Sequence, residues 1–282
     1  MPLSTDTTHA KPVSEATLAI AATLFTRVSP DYIRRLFTEV ETLFGGGYQD
    51  YQANDLKYHD FRHTLQVTMA YVDLIAARQQ HPNATPVTFR QFELGLTAAL
   101  FHDSGYLKLR SDHEGTGAKY TYCHVLRGCA LASSYLPALG LNLEEIDVVL
   151  STIRNTGPST SGMRMRFNNK DEQTLACAVA TADYLGQMAA TDYPDELEAL
   201  FDEFAESDDF ARVPADCRVF QSASKLVTDT PVFWQRVVRP KLEKEFLGLF
   251  HFLDAPDGTN PYIDAIERNL RIIAHRASAP AH

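Results

Sequence analysis

The stretch Leu96-Thr97-Ala98-Ala99-Leu100-Phe101-His102-Asp103-Ser104-Gly105 is an apolar run that stops abruptly on two polar side chains. Taking unpaired polar groups out of water is costly, so a histidine and an aspartate directly behind a buried run need partners. Apolar residues from Phe92 to Phe101 follow helical spacing and predict a helix over 89–102. Adjacent residues on a helix point ~100° apart. His102 and Asp103 can therefore reach one ion only near the helix end, where a carboxylate could also bridge two ions.

Outward from this run the same periodicity continues in both directions. Upstream, helices are predicted from Ser14, from Pro30–Asp31 to the Gly45-Gly46-Gly47 stop, and over 54–77. Downstream they are predicted over 119–139, 143–154, 172–190, 194–205, 232–253 and 262–276, with a polar loop over 157–171 that holds Arg164 and Arg166. Alternating strand patterns bounded by hairpin turns are missing. The fold class expected is all-α, a single bundle of about nine or ten helices. Residues 14–276 would form one domain with flexible ends at 1–13 and 277–282, and residues 54–190 would carry its functional core.

The composition narrows the function classes. The chain has 282 residues, 45% hydrophobic and 22% charged, with a net charge of -10. A general nucleic-acid binder needs a basic stripe to displace counterions, so no nucleic-acid partner is expected. An anionic small molecule is still compatible, because a bound cation reverses the local field. Cys123, Cys129, Cys177 and Cys217 form no C-x-x-C pair and read as reduced, mostly buried thiols of a cytoplasmic protein. Residues 1–15 lack the apolar core of a secretory signal, and no run reaches the ~18 apolar residues of a membrane span.

Three further segments carry chemistry-bearing residues. In Tyr58-His59-Asp60-Phe61-Arg62-His63 the two histidines are four apart, which on a helix puts them on one face. That suits a metal ligand and a proton donor in one pocket; a solvated His59 with a core His63 is the plainer alternative. Asp183 interrupts the small apolar run Ala176–Ala182, as an unpaired site carboxylate or as an exposed or Arg-paired one. His124 is the remaining candidate. His113 reads as a loop histidine, and His81, His251, His275 and His282 as surface or core residues. Lys108, Lys119, Arg127 and Arg154 lie near the motifs, and a cation beside a metal could hold phosphate. Pro231-Val232-Phe233-Trp234 could wall a base-binding pocket, or pack as core.

Taken together, His63, His102-Asp103 and Asp183 resemble the HD superfamily of metal-dependent phosphohydrolases, in which His, His-Asp and a later Asp occur in this order on helices. Tyr58-His59-xxx-His63 and Ala182-Asp183 resemble the corresponding motifs of cyclic nucleotide phosphodiesterases. The similarity spans about residues 50–190. It implies that His63, His102, Asp103 and Asp183 hold a divalent ion (Zn, Mn, Fe or Mg), and that Asp103, with His124, reaches a second. It further implies that His59 is the general acid and that the substrate is a nucleotide-like phosphate ester. Asp60 stands where that motif has Asn, and Tyr106 where it has a further His. The purine-selecting Gln could be Gln187, Gln221 or Gln235. Asn155 occupies the place of a histidine found in diiron oxygenases of the superfamily. A nucleotidase using the same metal centre and a non-catalytic nucleotide-sensing module are the other readings.

Overall fold

The computed structural model describes residues 3–157 and 166–278, and among them there are ten α-helices and no β-strand. The chain is all-α, as expected. The helices are α1 (Ala10–Leu24), α2 (Pro30–Phe44), α3 (Phe61–Gln80), α4 (Phe89–Phe101) and α5 (His124–Tyr135). They continue with α6 (Leu143–Arg154), α7 (Lys170–Ala189), α8 (Tyr193–Phe210), α9 (Ala223–Phe233) and α10 (Pro261–Ser278). Among the described residues no helix is long and apolar enough to cross a membrane.

Local signals explain most of the helix starts. Thr88 and Gln91 form a capping box on α4, and Asn142 and Glu145 form one on α6. Each satisfies backbone N–H groups that the first turn leaves without partners. Pro30 opens α2, where its missing N–H is no loss. The core is built around α3, α4 and α7. Leu65, Val67, Tyr71 and Val72 of α3 meet Leu175, Val179 and Leu185 of α7 in one apolar cluster running from Ala10 to Ile273. Gly186 lets α3 and α7 approach closely, since a Cβ there would lie 2.8 Å from Cα of Val67.

Several elements depart from the sequence reading. Helix α1 starts at Ala10 rather than Ser14 and buries Val13, so residues 10–13 belong to the packed structure. Helix α10 continues to Ser278, two residues into the segment expected to be flexible. Helix α3 starts at Phe61, not at Asn54. The element expected over 119–139 is split into a 3₁₀ turn at Gly117–Tyr120, α5, and a second 3₁₀ turn at Leu136–Leu139. Here Thr121 Oγ1 bonds Ala118 O, so side-chain bonding competes with helix propagation before His124. The helix expected over 232–253 is also broken. π-helical stretches at Trp234–Val238 and Lys241–Glu245 follow α9, and a 3₁₀ turn occupies Leu249–Leu253. Pro231 and Pro240 cannot donate to the ladder, and Leu247 and Gly248 take left-handed backbone conformations. Much of the polar loop over 157–171, Arg164 included, lies outside the described residues, as does His282. All four cysteines are free, but only Cys177 is buried; Cys123 and Cys217 are exposed, contrary to the expectation of mostly buried thiols.

Candidate metal centre

His63 is the third residue of α3. Its position is set by Asp60, whose side chain accepts the His63 backbone N–H at 2.8 Å as the helix N-cap. His59 therefore lies before the helix, not four residues along it. It still enters the same cavity, because the Glu203 carboxylate of α8 holds the segment in place. Glu203 accepts the backbone N–H groups of Lys57 and Tyr58 at 3.0 and 2.7 Å, and its other oxygen lies 2.6 Å from His59 Nδ1. His102 and Asp103 follow the last residue of α4, Asp183 projects from the middle of α7, and His124 is the first residue of α5.

These residues converge. Asp103 Oδ2 lies 3.3 Å from His63 Nε2 and 3.2 Å from His102 Nε2. Asp183 Oδ1 lies 3.6 and 3.7 Å from the same two nitrogens. The other Asp103 oxygen faces His124 Nε2 at 3.7 Å. Candidate ligand atoms of His63, His102 and Asp103 all fall within 4.8 Å of one another. The turn at Ser104–Tyr106 sets His124 against Asp103: a Cβ on Gly105 would lie 1.8 Å from the His124 carbonyl oxygen.

Hydrogen bonding leaves the converging atoms available. His102 Nδ1 bonds Ala99 O at 2.8 Å and His124 Nδ1 bonds Thr121 O at 2.7 Å. With Nδ1 so engaged, each ring presents Nε2 to the centre, as in metal-ligating histidines. His102 Nε2 and Asp103 Oδ2 are buried without an aligned hydrogen-bond partner. Such atoms in a packed interior call for an explanation, and a divalent ion among two imidazoles and two carboxylates supplies one. The residues thus fit a metal. Burial lowers the His102 pKa, but Asp103 outweighs it and the net result is about 9. Burial opposes the Asp103 charge, yet His102 and His63 hold its carboxyl well below the usual range. Burial pushes the Asp183 carboxyl up and the His124 imidazole down.

Tyr106 fills the space between the outer imidazoles, its ring stacked on His59 at 4.6 Å and on His124 at 4.4 Å. Burial raises its pKa, so the phenol stays neutral. The cavity beside the centre measures about 170 Å³. Its lining includes His59, His63, Asp103, His124 and Asp183, the apolar Leu200, Phe204, Phe220 and Phe233, and Asp229 of α9. Of Pro231–Trp234, Phe233 reaches this lining, whereas Trp234 is packed in the core.

Other candidates are placed differently. Among Gln187, Gln221 and Gln235, only Gln187 lines the cavity. Its amide already accepts from Tyr58 Oη at 2.7 Å and donates to Asp183 at 3.5 Å. Lys108 pairs with Asp55, Lys119 with Asp112, and Arg127 donates to the carbonyls of Gly105 and Leu107. None of these three lines the cavity. Asn155 is buried and also lies off the cavity wall. His113 is exposed, and His251 pairs with Glu243 and Asp254 at the surface.

Glu203 was not among the sequence candidates. It lies on α8 among many other acidic residues, so no signal in the sequence singles it out. No protein-family model matches the chain, and no curated protein matches it.

Proposed function

We propose that this chain is a metal-dependent phosphohydrolase of the HD type that hydrolyses a nucleotide-like phosphodiester. The observation that carries this reading is the convergence of His63, His102, Asp103 and Asp183 around orphaned, buried ligand atoms, with an imidazole–carboxylate pair at the cavity edge. His63, His102, Asp103 and Asp183 would hold one divalent ion, and Asp103 with His124 a second. When bound, such ions acidify a water and neutralise phosphoryl oxygens.

The protein's own groups do the rest. Glu203 orients His59 and favours its protonated form, so that His59 can give a proton to the departing alkoxide. Phe204, Phe220 and Phe233 line the space for an apolar or planar body and keep water from it. Asp60 takes the capping role through the same oxygen chemistry that an asparagine would use.

The test is a panel of phosphodiesters and phosphomonoesters assayed with added Mn²⁺. The expected result is diester turnover that disappears in Asp103→Ala together with bound metal. His59→Ala should keep the metal but lose about 10²–10⁴-fold in rate, most on poor leaving groups. Full turnover by Asp103→Ala would sink the mechanism. Turnover of monoesters alone would assign a nucleotidase, and binding without turnover a sensing module.

A further inference from the structure

We propose that the groove next to the metal cavity receives a second phosphate group of the substrate, making the substrate class a nucleoside phosphate ester with a further phosphate at its far end. This deepens the phosphohydrolase reading and rests on it.

The groove encloses about 920 Å³ and shares Thr121, His124, Phe204, Phe220 and Phe233 with the cavity. The two are adjacent, and one of the shared residues is His124, which faces Asp103. Among the described residues, Arg154 and Arg166 line the groove and no aspartate or glutamate does. In a chain of net charge -10 a wall with two guanidinium groups and no carboxylate is a marked local reversal.

These arginines also differ from the other cations near the site. Lys108, Lys119 and Arg127 are engaged with carboxylates or backbone carbonyls. The arginines that form ion pairs are Arg35, Arg62, Arg90, Arg218, Arg239 and Arg276. Arg154 and Arg166 form none among the described residues. Among the described residues, Arg154 donates only through Nε, to Leu150 O at 3.4 Å.

Among the described residues, no Lys or Arg lines the cavity itself. Positive charge would therefore be divided: a metal held by the His/Asp residues of the cavity, and guanidinium groups in the adjacent groove. A guanidinium fork matches a phosphate with paired hydrogen bonds. The three phenylalanines shared by the two suit a nucleoside.

The test uses the full chain loaded with Mn²⁺ and measures Kd by calorimetry for adenosine 3′,5′-bisphosphate and adenosine 5′-monophosphate. The bisphosphate should bind at least about tenfold more tightly, and R154A/R166A should abolish that difference with Mn²⁺ content and thermal unfolding unchanged. Equal affinity in the unaltered protein, a preference that survives in R154A/R166A, or no binding of either nucleotide would each overturn the proposal. The phosphohydrolase reading fails separately: a preference lost in R154A/R166A, with no turnover of any ester, leaves the groove assignment standing and removes the hydrolase.

Discussion

At His59 two effects oppose each other. Burial disfavours the charged imidazolium and lowers the pKa, while the hydrogen-bonded Glu203 carboxylate raises it, and the net direction is upward. A raised pKa keeps the proton on His59 to higher pH; in the proposed mechanism the acid function would be lost as pH climbs through that value. Glu203→Gln removes the charge but keeps the shape. It should move the alkaline limb of kcat/KM to lower pH and slow turnover by roughly 10- to 10³-fold, with metal content unchanged. A pH–rate profile checks this; a limb that stays in place would reduce Glu203 to a scaffold for the Lys57–His59 backbone. The residues of the centre differ in how far sequence exposes them. His102, Asp103 and Asp183 stand out because each interrupts an apolar run. Glu203 does not, because α8 also carries Asp195, Glu196, Glu198, Asp202, Glu206, Asp208 and Asp209, and nothing in that acidic background separates Glu203 from the rest.

Helix α6 matches the expected 143–154 to the residue, and its local features agree: the Asn142–Glu145 capping box, acidic residues in the first turn and Arg154 in the last. Helix α3 shows the converse. Its start is displaced to Phe61 by contacts distant in sequence, since Glu203 binds the backbone of Lys57 and Tyr58. The cap that then forms makes a prediction. Asp60→Ala should cost about 1 kcal/mol of stability, and Asp60→Asn should be near neutral because both side chains cap well. Urea unfolding of the two variants gives the comparison, and equal losses would remove Asp60 from the capping role. Gly186 tests the α3–α7 contact. A Cβ would strike the Val67 backbone at 2.8 Å, one turn from both His63 and Asp183. Gly186→Ala should cost about 1–3 kcal/mol through overpacking and weaken metal retention. Stability and metal content matching the unaltered protein would show that the two helices can part without disturbing the centre.

Across the whole molecule, the all-α class follows from periodicity, but the assembly of the centre does not, because its residues come from four helices and two connecting segments whose arrangement no local pattern encodes. The fold packs α3, α4, α5 and α7 so that carboxylates and imidazoles meet in the interior. Without a cation, His102 Nε2 and Asp103 Oδ2 are left with no aligned partner, and the carboxylates draw a proton onto His102 instead. A divalent ion can replace that proton and satisfy both atoms, so metal should bind the folded state in preference to the unfolded one. The stabilisation is then set by mass action, about 2.7 kcal/mol when free metal is a hundredfold above Kd. At roughly 2–4 °C per kcal/mol for a domain approaching this size, adding Mn²⁺ or Zn²⁺ should raise Tm by about 5–10 °C. A chelator should reverse the rise. In Asp103→Ala the response should be absent, because that carboxylate faces His63, His102 and His124 at once. Scanning calorimetry with and without metal decides the point independently of any substrate: an equal rise in Asp103→Ala would place the bound ion elsewhere on this acidic chain.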